Sequence, residues 1–183
     1  MAIMLVQSTD RVQVPWKNGA GITEEIALLA DASGTPIWRI SVADLPATPS
    51  TFSAFDGFDR IFTIIGEHGV VLDFSGSPVE VNPLNPYRFA DDTAPQCRPH
   101  GHTRALNVMA RHHSTDISVT PLPGHGRRPF TTDPGVITGT FVISGSVSAD
   151  DLVAHPDDCL LIHHSEQVLS VDGTALLIEI TPH

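Results

Sequence analysis

The sequence predicts an all-β protein of sandwich or barrel type in which one barrel is duplicated. Fifteen prolines and 14 glycines interrupt nearly every stretch long enough for a helix. Apolar and polar residues alternate with period two over short runs, the pattern of strands with two unlike faces. Turn residues bound most of these runs at the close spacing that sandwiches and barrels require. A weak internal repeat carries the duplication.

The runs follow in order. Residues 37–43 alternate from Ile37 through Arg39 and Ser41 to Ala43. Residues 60–65 and 70–74 come next, separated by Gly66-Glu67-His68-Gly69 and closed by Gly76-Ser77-Pro78, both turn signals. Residues 105–110 and 117–120 add two more, the second ending at Pro121-Leu122-Pro123-Gly124. Residues 140–144, Cys159–His163 and residues 175–180 complete the set. Only residues 148–152 read as a helical turn.

Three blocks recur in the same order. Phe62-Thr63-Ile64-Ile65-Gly66 resembles Phe141-Val142-Ile143-Ser144-Gly145. Val79-Glu80-Val81-Asn82-Pro83 resembles Leu152-Val153-Ala154-His155-Pro156, and residues 103–109 resemble residues 173–179. The offsets fall from 79 (Phe62 to Phe141) through 73 (Val79 to Leu152) to 70 (Thr103 to Gly173), as shorter loops in the second copy would give. This divides the chain into a first barrel over residues 1–120 and a smaller one over 121–183, which N-terminal strands would complete. The Pro- and Gly-rich residues 121–134 read as the connector. Arg60 aligns with Gly139 and Asn107 with Leu177, so the polar strand residues belong to the first copy.

Composition bounds the function. The apolar content of 41% with 17% charged residues marks a folded chain rather than a disordered one. A net charge of −11 makes nucleic acid a poor partner, because phosphate binding needs a basic surface. No apolar run approaches the roughly 20 residues that span a bilayer, so a membrane is not expected either. The opening residues lack the basic segment of a signal peptide. Cys97 and Cys159 are far apart and read as reduced thiols, which suggests the cytoplasm. Exposed sheet edges admit a homodimer without specifying one.

The densest polar segment is Trp16-Lys17-Asn18-Gly19-Ala20-Gly21-Ile22-Thr23-Glu24-Glu25, a turn feeding a strand. Trp38-Arg39-Ile40-Ser41-Val42-Ala43, Phe52-Ser53-Ala54-Phe55-Asp56-Gly57-Phe58-Asp59-Arg60 and Asn107-Val108-Met109 follow. Together these motifs resemble the HutD/Ves family over roughly residues 5–111. The resemblance implies a bicupin, two cupin-like β-barrels or jelly rolls in one chain. It also implies a non-catalytic protein that binds a small acidic metabolite, such as formylglutamate, and moderates histidine utilisation; Ves members are linked to stress responses. Members often carry an acidic residue two places before the Asn, where this chain has Ala105, and that bears on the identity of the ligand.

The candidate ligand residues are Arg60, Arg39, Asn107, Asn18, Lys17, Ser41 and Thr23. Arg60 enters an apolar strand and must be paired. It either makes a structural ion pair with Asp59 or Glu25, or grips a ligand carboxylate with two N–H donors. Arg39 and Ser41 share a face that is either solvated or lines a polar lumen. Asn107, mid-strand, needs a structural partner or a ligand. Asn18, Gly19 and Gly21 are first of all turn residues, although exposed turn amides also hold anions. Lys17 stands near the mouth or is solvated. Trp16, Trp38, Phe52 and Phe55 read chiefly as core.

No metal or other cofactor is expected. Positions that would match a metal-cupin ligand set fall on Ser53, Phe55, Asp59 and Gln96 in the first copy, and on Thr132, Pro134 and Thr138 in the second. These do not supply converging imidazoles or carboxylates. His100-x-His102 would share a face but lies in a loop without an evident carboxylate partner, and the adjacent pairs His112-His113 and His163-His164 point apart. The alternative to a binder is a metal-free isomerase, epimerase or lyase using Asp59, Glu25 or a lumen histidine.

Overall fold

Each alternating run of the sequence lies in a strand, to within a residue at its ends. The computed structural model describes residues 3–16, 21–90, 92, 94–131, 135–163 and 166–183. β1 (Ile3–Val6) comes first, followed by one short 3-10 turn (Ser8–Asp10). Then come β2 (Val12–Pro15), β3 (Ile22–Ala30), β4 (Pro36–Leu45), β5 (Ser50–Thr51), β6 (Phe58–Ile64), β7 (Val70–Asp73), β8 (Pro78–Val81), β9 (Tyr87–Ala90), β10 (Gln96–Pro99) and β11 (Thr103–Arg111). The chain ends with β12 (Thr115–Thr131), β13 (Ile137–Ala149), β14 (Leu152–Ala154), β15 (Cys159–His163) and β16 (Glu166–Pro182). Among the described residues no helix is long and apolar enough to cross a membrane.

The strands form two compact units, Val12–Ser114 and Met1–Arg11 with Thr115–His183. The boundary therefore lies at 114/115, and the position anticipated at 120/121 falls inside β12. In the Val12–Ser114 unit a six-stranded sheet, β2-β3-β4-β11-β6-β9, faces a four-stranded sheet, β5-β10-β7-β8. Phe62, Ile64, Phe89 and Ala105 from the first meet Val70, Leu72, Val81 and Cys97 from the second in one core. Truncating a fully buried aromatic such as Phe62 costs about 3–5 kcal/mol. β4, β6 and β11 are buried on both faces: Trp38, Ile40, Val42, Ile61 and Val108 are as inaccessible as the inward residues.

The other unit carries one sheet in the order β1-β15-β13-β16-β12, with β14 added to the end of β13. Its pairing repeats that of the first unit. β6 lies between β11 and β9, and β7 pairs with β8. Likewise β13 lies between β16 and β15, and its far end pairs with β14.

The alignment that revealed the repeat is nevertheless one residue out. The core of the second unit takes Val142, Leu160, Ile162 and Ala175. Cross-strand partners share a face, so Thr140, opposite Leu160 and Leu177, belongs to that face, and Thr138, opposite Ile162, does too. Phe141 lies opposite Cys159 and Leu176 on the other face. Phe62 faces its own core, so Phe141 is not its equivalent, and Gly139 is not the counterpart of Arg60. In a period-two element a slip of one residue exchanges the faces. The counterpart face of β13 carries Thr138 and Thr140, fully buried, with hydroxyls that find no partner among the described residues.

Two further expectations are corrected. Residues 121–131 are not a connector but the outer half of β12, paired with β16 throughout. β12 is last in the sheet order, and an edge strand tolerates Pro121, Pro123 and Pro129 because one side needs no N–H. Residues 132–134 lie outside the described residues. Residues 148–152 hold no helical turn: β13 runs to Ala149, Asp150 takes φ 49°, and β14 starts at Leu152.

Gly145 and Gly173 face each other across β13 and β16, with φ of 74° and 132°. A Cβ on Gly145 would lie 1.8 Å from the Asp172 carbonyl oxygen, and one on Gly173 2.2 Å from that of Ser144. The two backbones approach as only glycine allows. Gly145→Ala is expected to destabilise the protein by about 3 kcal/mol, readable as a lower urea midpoint.

The free cysteines Cys97 and Cys159 are fully buried, and burial pushes both thiols up to about 12. Both should stay silent toward Ellman's reagent at pH 8 in the native protein and react once it is unfolded. Their folded pKa lies above the ordinary 9.0, so the stability they contribute is complete below pH 9 and declines as pH rises from 9 toward 12.

Candidate functional site

β11 lies between β4 and β6, and its register sets the site. Met109 stands opposite Arg39 on one side and Arg60 on the other. One step along the same face, Asn107 stands opposite Ser41 and Phe62. Alternation sends these side chains to one side of the sheet. There they line a cavity of about 270 Å³, together with Thr23 from β3. The structure thus brings Arg60, Arg39, Asn107, Ser41 and Thr23 to one cavity, and the Arg39/Ser41 face lines it, with Ser41 buried and Arg39 partly exposed. Asn18 and Lys17 lie outside the described residues.

Arg60 is 7% exposed. Its guanidinium carbon sits 5.2 Å from the Phe52 ring centre, 5.7 Å from that of Phe55 and 5.8 Å from that of Phe89. Such contacts are worth from about 0.5–1 kcal/mol at exposed sites to about 2 kcal/mol when desolvated. Nη1 donates to Asn107 Oδ1 at 3.5 Å and Nη2 to the Ser53 carbonyl at 3.4 Å. Asn107, 6% exposed, thus has a structural partner and also reaches the cavity.

The acids anticipated beside Arg60 serve other cations. Glu25 accepts from Arg39 Nε at 3.1 Å. Asp59, on the opposite face of β6, accepts from Arg88 and lies 3.3 Å from His112 Nδ1. The remaining Nη groups of Arg39 have no hydrogen-bond partner among the described residues. Neither Asp59 nor Glu25 lines the cavity, and its described wall carries no carboxylate and no imidazole.

The apolar side of the cavity is formed by Leu45, Phe52, Phe55, Phe62 and Met109. Residues 51–55 contribute five consecutive lining residues, so this segment, singled out in the sequence but with Phe52 and Phe55 read chiefly as core and none of it counted among the ligand residues, forms part of the wall. Phe52 is core, at 9% exposure, but Phe55 is 38% exposed and stacks edge-on against Phe58. Trp16, read as core, also lines the cavity and donates its indole N–H to Thr23 Oγ1 at 2.8 Å, while Trp38 is buried as expected. The signal for the segment was the pair of phenylalanines flanking Ser53 in a stretch without alternation.

Among the described residues no group of three or more His, Cys, Asp or Glu side chains converges as a metal set. His100 and His102 do have carboxylate partners, contrary to expectation: Glu80 at 2.7 Å and Asp44 at 2.8 Å. Both pairs are exposed surface contacts of small energetic weight. Thr132, Pro134 and His164 lie outside the described residues.

The HutD family model matches residues 8–178. The chain belongs to the HutD family. It is 30% identical over 172 residues to the protein Ves of Citrobacter koseri, covering 91% of this chain and 87% of that one. It is also 33% identical over 101 residues to an uncharacterized 21.2 kDa protein in the hutC 3' region of Pseudomonas putida, a match that spans 52% of this chain and 51% of that relative. The structure of HutD from Pseudomonas fluorescens SBW25 superposes with a TM-score of 0.85 at 29% identity over 100% of both chains. More distant likeness shows the fold alone: a cupin 2 conserved barrel domain protein from Leptotrichia buccalis reaches a TM-score of 0.60 at 9% identity over 93% of this chain and 92% of that one. The HutD-family chain is thus all-β and cupin-like.

Phe52 belongs to both core and cavity wall, whereas Phe55 is a half-exposed wall residue. Phe52→Ala should cost about 3 kcal/mol in thermal or urea unfolding, and Phe55→Ala less than about 1 kcal/mol, because only the first removes fully packed area.

Proposed function

We propose that this HutD-family protein is a non-catalytic binder of a small acidic metabolite, held in the cavity of the Val12–Ser114 unit, and that binding moderates histidine utilisation. The observation that carries this reading is the composition of the wall. It holds two guanidinium side chains and the neutral polar groups of Thr23, Ser41 and Asn107, with no carboxylate or imidazole among its described residues. Guanidinium groups recognise carboxylates through paired N–H donors. Arg39 and Arg60 flank one residue of β11 and are therefore two strand spacings apart, about 10 Å at the backbone. A ligand with a carboxylate at each end, such as formylglutamate, would engage both. Net negative charge elsewhere does not oppose this, because a cation in a low-dielectric cavity outweighs distant, screened surface charge.

In this reading both units are cupin-like jelly rolls, a bicupin, and only the Val12–Ser114 unit holds ligand. The repeated strand pairing and the full-length likeness to a HutD structure support it. An isomerase or lyase would need a general acid or base within hydrogen-bond reach of the ligand. Glu25 touches the site only through Arg39, and Asp59 faces away.

Isothermal titration with formylglutamate, glutamate and urocanate tests the proposal. Formylglutamate is expected to bind the wild type, urocanate more weakly because it has a single carboxylate, and Arg60→Ala to weaken formylglutamate by at least about tenfold. No binding by the wild type, or equal binding by a folded Arg60→Ala, overturns it.

A further inference from the structure

The indole of Trp16 is a donor only, whereas a hydroxyl has one proton and two acceptor sites. In the bond from Trp16 Nε1 to Thr23 Oγ1, at 2.8 Å, Thr23 must therefore accept. Its own proton is directed elsewhere, and the Thr23 hydroxyl has no other hydrogen-bond partner among the described residues. Thr23 lines the cavity, so that proton is available to a ligand. Asn107 obeys the same logic. Its Oδ1 accepts from Arg60, which can only donate, and its Nδ2 hydrogens remain to be given. The two arginines have no acceptor at all.

The lock on Thr23 is built into the hairpin. Trp16 N–H donates to the Gly21 carbonyl at 2.9 Å, and Val14 stands opposite Thr23 in the ladder. A Cβ on Gly21 would come within 3.1 Å of the Trp16 ring and 2.9 Å of the Asp44 carbonyl oxygen. The missing side chain lets the indole lie against the backbone with Nε1 toward Thr23. Trp16, Gly21 and Thr23 thus act as one device.

We propose that Trp16 is a positioning residue that sets the hydrogen-bond polarity of the cavity. By taking one of the two acceptor sites of Thr23 Oγ1 it directs the hydroxyl proton away from the indole and biases the group toward donation, and the wall then favours small dianions that present only acceptors over isosteric amides that bring donors of their own. This rests on the anion-binding reading above and extends it to specificity.

Two measurements test it and can fail separately. The first needs no ligand: hydrogen exchange of the Trp16 indole N–H followed by NMR on ¹⁵N-labelled protein. Exchange is expected to be slow in the wild type, at least about tenfold faster in Thr23→Val, and slow again in Thr23→Ser, which keeps the acceptor. The second compares glutarate with its monoamide by titration. The wild type is expected to favour glutarate by at least about tenfold, and Trp16→Phe to narrow that ratio to about threefold or less, because Oγ1 then has both acceptor sites free for the amide. An indole exchange rate indifferent to Thr23→Val overturns the lock. An unchanged ratio in a folded Trp16→Phe that still binds overturns the selectivity. If neither glutarate nor formylglutamate binds the wild type, the anion-binding reading falls and the selectivity with it, while the exchange data still decide whether the lock exists.

Discussion

A guanidinium taken out of water organises the Val12–Ser114 unit. Removing such a charge from solvent costs several kcal/mol unless the surroundings replace its hydration. Around Arg60 part of the replacement comes from three phenylalanine faces, the Asn107 side-chain oxygen and the Ser53 carbonyl. Each of these fixes something else. Phe89 belongs to the core between the two sheets, so the charge is tied to the packing. Ser53 holds residues 51–55 against the cavity. Asn107, an amide that a mid-strand position would otherwise penalise, becomes satisfied and oriented. The polar residues of the site are thus mutually required rather than separately tolerated.

Register translates this local chemistry into a site. With β11 between β4 and β6, the pairs at Met109 and Asn107 put two cations and two neutral polar groups on one face. Shifting either ladder by one residue would replace them with Trp38, Ile40, Ile61 and Val108, all of them buried on the opposite face. Apolar residues on both sides of these strands make that shift costly, which is how a polar lumen can persist in an otherwise apolar element.

The two units show the same constraint from another side. Both units pair their strands in the same order, yet the counterpart face of β13 carries Thr138 and Thr140 where β6 carries Arg60 and Phe62. Buried threonines keep a trace of polarity without a charge to bind an anion. In that unit the Gly145–Gly173 crossing shows how closely its strands approach.

Strand existence was legible because alternation and turn residues are local signals: residues 37–43 and 105–110 could hardly be anything else. The family was legible too, since Trp16, Gly21, Thr23, Arg39, Arg60 and Asn107 stand at motif spacing. Three things were not. The proline-bearing outer half of β12 reads as a loop until its edge position is known, because only tertiary structure says which strand has a side without partners. The repeat could be seen but not its face, because apolar residues on both sides of β13 blur the parity that period-two alternation would fix. The partners of Arg60 were hidden because Asp59 and Glu25 are close in sequence or motif, while Phe89 and Asn107 come from strands 29 and 47 residues away. By itself the sequence determined the β class, the family and five polar residues that line the cavity, Arg60, Arg39, Asn107, Ser41 and Thr23. Only the tertiary structure decided what those residues do to one another, because hydrogen-bond direction, desolvation and ion pairing depend on which groups the ladders bring within a few ångströms.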